Sequence, residues 1–344
     1  MTGKKMAVLG VGAIGSVVGG FLTKAGNDVT LIDQWPEHVE TMKRNGLRIG
    51  GTAGDHLVKV RAVHLCDVST LNEQFDIVFL AVKSYDTRWA VSFILPYLKP
   101  DGFIVSTQNS INDEWIAPIV GYTRDIACIV TLGAGLYEPG HVTRTGDPER
   151  IALTLGELHC RVTPRLQELA NIMSAVGKTR TTTNTWGERW AKLGTNSMGN
   201  AMGGLTGLGS AAVRSTPETR RIIIKIGAEV VRVGHALGVN IEPISGVPAQ
   251  DYVDAAEGRG LEELEMRLME HTRDRGEGRA SLLQDVMKGR KTEADYLNGY
   301  VAARGKEVGV PTPVCVAITE LVHEVERGQR RSHVSNVKDL ERFL

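Results

Sequence analysis

The first half of the chain alternates short apolar runs with amphipathic stretches, whereas the second half carries helical periodicity alone. Met6-Ala7-Val8-Leu9 reads as a buried strand, and the positions from Ala13 to Ala25 as the helix after it. Asp28 to Ile32 predicts a second strand, followed by a helix starting near Pro36. The run DIVFLAV, Asp76 to Val82, is the clearest strand, and Phe103-Ile104-Val105 is the next. Further strands are expected over Ala127 to Leu132, near Val142 and over Ile151 to Leu155, then a helix from about Pro164 to Val176. Strands alternating with helices through glycine-rich turns are the mark of βαβ units and a parallel sheet. From Trp186 apolar positions recur at spacings of three and four, which predicts helices over 188–209, 217–237, 281–288, 293–306 and 313–326. Gly309, Pro311 and Pro313 punctuate the last two. The pattern therefore predicts an α/β domain over 1–184 and an all-α C-terminal domain over 185–344.

Composition agrees with that division. A chain of 344 residues exceeds what one hydrophobic core usually serves. Its 40 Lys+Arg balance 40 Asp+Glu, and zero net charge argues against nucleic acid or an anionic membrane as partner. Hydrophobic residues at 42% and charged residues at 23% are ordinary for a soluble globular protein. No apolar run reaches the length of a membrane span. The start, MTGKKMAVLGVGAIG, has the lysines and apolar run of a signal peptide, but Gly10, Gly12 and Gly15 break it. Cys66, Cys128, Cys160 and Cys315 are scattered, which predicts free thiols in a reducing, cytoplasmic compartment. The neutral sum hides unlike regions. Residues 251–270 carry seven acids against Arg259 and Arg267, and an Arg/Lys-richer stretch runs from Arg273 to Lys291. Leu261, Leu264 and Leu268 share a helical face there, so a solvated helix packing one edge is expected, with a partner surface as the alternative.

The first chemical motif is Gly10-Val11-Gly12-Ala13-Ile14-Gly15, a GxGxxG that directly follows a predicted strand and opens a predicted helix. In that context Gly10 makes the tight turn, Gly12 admits a diphosphate close to the backbone, and Gly15 lets helix and strand pack. The diphosphate would sit on the free N–H groups and positive dipole end of the helix. The α/β domain is thus a Rossmann-type dinucleotide-binding domain. Asp33 closes the second strand, about 20 residues further on, where a carboxylate accepts the ribose hydroxyls and repels a 2′-phosphate. With Gln34, Trp35 and Pro36 next and no arginine, Asp33 favours NAD(H) over NADP(H). Capping of the helix at Pro36 is the other reading of Asp33.

In the helical half, Lys192, Asn196 and Asn200 are four apart and drift only about 80° around a helix axis. Two asparagines are poor helix formers, so a functional stripe competes with a solvated one. Ser281-Leu282-Leu283-Gln284 has the spacing of a capping box, which makes Ser281 a helix N-cap, a carboxylate site, or both. Glu293 reads from spacing as a first-turn acid of the next helix. The nine histidines show no HxxxH, and no ligand set for a metal is expected. His141 reads as structural, Trp186 and Trp190 as packing residues, and no GxSxG suggests a hydrolase.

The chain resembles the ketopantoate reductase family (2-dehydropantoate 2-reductases) over essentially its full length. The match is carried by GVGAIGS at 10–16, VKSYDT at 82–87, QNSIN at 108–112 and KLGTNSMGN at 192–200. It continues through SLLQDVMKGRKTEADYLNGYV at 281–301 and GVPTP at 309–313. The resemblance implies NAD(P)-dependent reduction of ketopantoate to pantoate, in pantothenate and coenzyme A synthesis. It implies Lys192 as general acid, Glu293 on a substrate hydroxyl, and Ser281, Asn196 and Asn200 on substrate. Asn109 would lie between nicotinamide and substrate, and Lys83 near the cofactor. The helical domain would bind a small 2-oxo or 2-hydroxy acid, and the family allows a homodimer through it. Three features depart from the family pattern: Asp33 in place of a basic residue, Ser110 in place of a glycine, and a long segment over 245–280. An NAD-dependent dehydrogenase of another hydroxy acid is the enzyme alternative. Dehydrogenases of 3-hydroxy acids share a Lys-x-x-x-Asn helix but not the 281–301 block. A nucleotide sensor that kept the fold would not need Lys192, Asn196, Ser281 and Glu293 together.

Overall fold

Lys5–Leu9 (β1) is buried at all but its first residue, as expected of an apolar run in the interior of a sheet covered on both faces. A computed structural model describes residues 3–273 and 278–344, in two units, Met1–Thr185 and Trp186–Leu344. In the first unit β1 leads into α1 (Ala13–Lys24), β2 (Asp28–Asp33) and α2 (Pro36–Asn45). Three short strands follow: β3 (Leu47–Gly51), β4 (His56–Val58) and β5 (Arg61–His64). Next come β6 (Phe75–Leu80), α3 (Thr87–Ile94), β7 (Leu98–Ser106), α4 (Asp113–Val120) and β8 (Asp125–Val130). The unit closes with β9 (Gly133–Glu138), β10 (His141–Thr145), β11 (Leu153–Glu157), α5 (Pro164–Met173) and β12 (Thr179–Thr181).

The main sheet has the order β12-β11-β8-β7-β6-β1-β2-β5. All its pairs are parallel except β8 with β11. The chain leaves β1 for β2 on one side and returns to β6 on the other. Such a reversal opens a crevice outside the carboxyl ends of β1 and β6, where open α/β sheets take their ligands. The register holds those ends level, because Leu9 pairs with both Ile32 and Leu80, and Leu80 pairs with Ser106. The loops after β1, β6 and β7 therefore emerge on one edge.

A second sheet, β4-β3-β10-β9, was foreseen only near Val142. Its strands are short and broken by glycine and charge, and its central pair joins Arg48 to His141, segments far apart in sequence. Local periodicity carries no trace of such a pairing. Helix α1 lies between the sheets. A Cβ at Gly19 would overlap Leu31 of the main sheet, and one at Gly20 would come within 2.6 Å of Ile49 of the second. Met6, Val18, Leu22, Ile49 and Val142 share the resulting core, while α3 and α4 cover the opposite face through Val91, Ile94 and Ile116.

The second unit is helical among its described residues: α6 (Thr185–Thr206), α7 (Pro217–Ala236), α8 (Ala249–Ala256), α9 (Leu261–Arg273), α10 (Ser281–Met287), α11 (Asn298–Val308) and α12 (Pro313–Glu326). The expected helix over 293–306 is interrupted. Ala294–Tyr296 form a single 3-10 turn, and Leu297, at φ −108 and ψ −96, breaks the backbone before α11 starts. The acidic stretch 251–270 is two helices rather than one. Leu264 and Leu268 are buried, and the acids pair with arginines: Asp251 and Glu263 with Arg267, Asp254 and Glu257 with Arg259, Glu265 with Arg221. Exposed pairs of this kind add little stability each, which fits a solvated face. The basic stretch from Arg273 to Lys291 lies partly outside the described residues. Among those residues no helix is long and apolar enough to cross a membrane.

Candidate active site

In the first unit the site grows from the loop after β1. Gly10 has φ +91, and a Cβ there would approach the Val82 backbone nitrogen to 2.7 Å. A Cβ at Gly15 would overlap the Gly10 carbonyl oxygen, so the helix starts as close to the loop as glycine permits. Gly12 faces open space, with nothing within 4 Å of a Cβ. It is the N-cap of α1, so the first turn, with Ala13 and Ile14, has no side-chain cap and no acid. That leaves N–H donors and the positive end of the dipole presented to an anion.

Asp33 is half-buried at the end of β2, and both its oxygens hold backbone. Val11 N–H donates to Oδ2 at 2.5 Å and Trp35 N–H to Oδ1 at 2.8 Å. It does not cap α2, whose N-cap is Trp35 without a side-chain bond. The carboxylate instead fixes the glycine loop to the strand end, and each oxygen keeps a second lone pair.

Behind the loop lies a chain the sequence did not suggest. Gly140 N–H donates to His38 Nδ1 at 2.8 Å, His38 Nε2 lies 3.4 Å from Ser16 Oγ, and Ser16 Oγ donates to the Val11 carbonyl at 2.9 Å. Burial holds the His38 imidazole below its usual pKa, with Asp33 and the Val11 backbone pulling it back up. An acceptor at Nδ1 requires the neutral tautomer with its proton on Nε2. A histidine on a short surface helix has no pattern that marks it.

Lys83 and Asn109 sit on the loops after β6 and β7. Lys83 precedes a 3-10 turn over Ser84–Asp86. Four buried polar side chains tie the loops. Gln108 Nε2 donates to the Val82 carbonyl and to Thr87 Oγ1, at 2.9 and 2.8 Å. Asn112 accepts from Thr87 and donates to Ser84 Oγ and to the Asn109 carbonyl. Ser110 has φ +70, a left-handed conformation that ordinarily favours glycine.

In the second unit α6 carries the predicted stripe. Lys192 is half-buried, Asn196 and Asn200 are buried, and Leu193, Met198, Met202 and Leu205 fill the core beside them. The glycines of this helix let neighbours approach: a Cβ at Gly194 would meet Ile244 at 2.9 Å, and one at Gly204 would overlap Leu282. That closeness brings α10 to α6, where Asn200 Nδ2 donates to Ser281 Oγ at 3.1 Å.

The capping box at Ser281 does not form. Ala280 is the N-cap, Ser281 is the first helical residue, and the Gln284 amide donates instead to the Arg279 carbonyl. With the helix starting one residue early, the Ser281 hydroxyl is engaged by Asn200 rather than by its own backbone. Having accepted from Asn200, it keeps its proton to donate.

Glu293 is buried and stands outside any α-helix, at the N-cap of the 3-10 turn, where its carbonyl accepts from Tyr296 N–H at 2.9 Å. Thr292 N–H donates to Glu326, and Asn298 Nδ2 donates to the Ser197 carbonyl at 3.1 Å. The Glu293 segment is thereby fastened to α12 on one side and, through Asn298, to Ser197 of α6 on the other, connections no sequence spacing revealed.

Comparison with known proteins agrees across the chain. The family model described as ketopantoate reductase PanE/ApbA matches residues 6–158, and its C-terminal counterpart matches residues 184–326. A curated 2-dehydropantoate 2-reductase of Pyrococcus horikoshii is 30% identical over 325 residues, covering 94% of this chain and 97% of that protein. The solved PanE/ApbA family ketopantoate reductase of Ralstonia eutropha is 28% identical with a TM-score of 0.78, covering 94% and 99%. A D-mandelate dehydrogenase solved with NADH and anilino(oxo)acetate is 25% identical with a TM-score of 0.79, over the same shares.

Proposed function

This chain belongs to the ketopantoate reductase family, and from that premise we propose that it reduces ketopantoate to pantoate with a nicotinamide dinucleotide. The observation that carries the reading is the α6 stripe: a lysine with two buried amides, one bonded to a serine on a neighbouring helix. The uncapped first turn of α1, the open face at Gly12 and the Asp33 carboxylate fit a dinucleotide. Gly10, Gly12, Ala13, Ile14, Gly15 and Asp33 would hold it, with Lys83 and Asn109 toward the nicotinamide. When bound, it supplies the hydride.

The remaining steps belong to the protein. Lys192, as an ammonium, donates its proton to the ketone oxygen as negative charge builds there. Ser281 donates its hydroxyl proton to the substrate carboxylate, oriented by Asn200. Asn196 adds a hydrogen bond, and Glu293 accepts from the substrate hydroxyl. The 1–184 part would thus serve the cofactor and the 185–344 part the substrate. A net-neutral protein offers no long-range attraction to an anionic keto acid, so capture rests on these local donors.

Asp33 supports NAD(H) as the preferred dinucleotide, since a 2′-phosphate would meet its charge. Replacing Asp33 by Arg is expected to shift the ratio of kcat/KM for NADPH over NADH upward by about tenfold or more, by removing one like charge and adding an opposite one. Both dinucleotides should bind more weakly, because the bonds to Val11 and Trp35 go too, so the ratio is the readout. An unchanged ratio means Asp33 does not read the ribose.

Gly15→Ala tests the loop itself. Displacing α1 by the width of a methyl group costs on the order of 1–3 kcal/mol, so dinucleotide affinity by calorimetry should fall about tenfold or more. Unaltered affinity would remove the loop from the account. A second reading, oxidation or reduction of a different hydroxy acid with NAD(H), draws on Asp33 and on the likeness to D-mandelate dehydrogenase. Initial rates across a panel of 2-oxo acids, with NADH and NADPH separately, decide between them: ketopantoate should lead the panel.

A further inference from the structure

We propose that Asn112 is a positioning residue that sets the Asn109 loop against the Lys83 loop. The inference rests on the reading above, which places Lys83 and Asn109 at the reacting end of the cofactor. Asn112 is fully buried and occupies the N-cap position of α4, where an asparagine ordinarily bonds its own helix. Here it makes no cap bond. Its side chain turns to the two loops instead: Oδ1 accepts from Thr87 Oγ1 at 2.9 Å, and Nδ2 donates to Ser84 Oγ at 3.0 Å and to the Asn109 carbonyl at 2.5 Å.

Both amide protons and one carbonyl lone pair are thus committed, in a site buried from solvent. Gln108 reinforces the arrangement, since its amide protons hold the Val82 carbonyl and the same Thr87 hydroxyl. Asn112 joins Thr87 and Ser84 on one loop to the Asn109 backbone on the other. Asn109 is followed by Ser110 in a left-handed conformation, so the loop is held against its local preference. The bond from Asn112 holds the carbonyl immediately before that residue.

The discriminating variant is Asn112→Asp, which keeps the shape. Thr87 can still donate to it. Against the Asn109 carbonyl, however, a donor becomes an acceptor, and the two oxygens repel. The leverage falls on one loop. The expected result is a fall in kcat of about tenfold or more with KM and dinucleotide affinity changed by less than about threefold. Leu155→Ala, in the buried core of β11, is the control for lost stability alone, and at a temperature where both are folded it should keep its kcat. Hydrogen exchange gives a readout independent of activity: amides of 83–87 and 109–111 should lose protection in Asn112→Asp and not in the control.

Full kcat and unchanged protection in Asn112→Asp would overturn the proposal, as would an equal fall in kcat for the control. If the unsubstituted protein turned over no 2-oxo acid, the reductase reading would fail. The exchange measurement would then still decide whether Asn112 holds the two loops.

Discussion

Lys192→Ala is expected to lower kcat for ketopantoate by about a hundredfold or more, with dinucleotide affinity retained. Hydride addition at C2 turns a carbonyl oxygen toward alkoxide, and a positioned general acid typically contributes 10²–10⁴-fold to such a step. Nothing else in the proposed substrate set can deliver that proton as readily. Asn196 and Asn200 are amides, and Ser281 is a weak acid proposed to face the carboxylate. Alanine is the best helix former, so the change should not unravel α6, and half-burial of Lys192 leaves little core to lose. Lys192→Arg sharpens the test. A guanidinium keeps the charge but does not part with its proton near neutrality, so it should restore substrate binding more than kcat. If Lys192→Ala abolished dinucleotide binding and left kcat with saturating cofactor intact, the residue would belong to the cofactor site instead.

The second large effect is on stability. Glu229→Ala should cost about 2–4 kcal/mol, because two backbone donors at the start of α12 lose their acceptor inside the protein. Val314 N–H donates to one carboxylate oxygen at 2.9 Å and Cys315 N–H to the other at 2.8 Å, while Thr312, the N-cap, provides no side-chain bond. A residue on α7, far away in sequence, therefore does the work of the missing cap. Burial raises the Glu229 carboxyl above its ordinary value of 4.5, despite the opposing pull of the Val314 and Cys315 amides. Between that value and its raised one the folded protein binds more protons than the unfolded chain. The contribution of Glu229 is therefore fullest at acid pH and declines as pH rises through the window. Glu229→Gln removes the titration and keeps one acceptor. Its unfolding free energy should fall between wild type and Glu229→Ala and vary less with pH from about 4.5 upward. Denaturant unfolding at pH 5 and pH 7.5 measures both effects. Equal stability of wild type and Glu229→Ala would remove the cap.

Glu229 also marks where sequence reading stops. The α/β-then-helical order, the first sheet's central strands and the α6 stripe were legible, because each is written in periodicity over neighbouring residues. The glycine loop was legible because Gly10 and Gly15 are demanded by the local backbone. What escaped is written between distant segments. The second sheet pairs β3 with β10, His38 reaches Gly140, and Asn200 meets Ser281 through the close approach of α6 and α10. The capping-box pattern at Ser281 misled for a related reason. A local motif and a tertiary partner competed for one hydroxyl, and the partner prevailed. At Glu293 periodicity predicted an unbroken helix, whereas the backbone breaks at Leu297, and Asn298 fastens the new helix to Ser197.

Transfer of a hydride to C2 of ketopantoate is the step on which every proposed residue role depends. The direct test supplies ketopantoate with NADH deuterated at C4, each face in a separate reaction, and weighs the product by mass spectrometry. The expected product is pantoate carrying one deuterium at C2 from one face of the cofactor and none from the other. Absence of pantoate, or pantoate without label from either face, would contradict it.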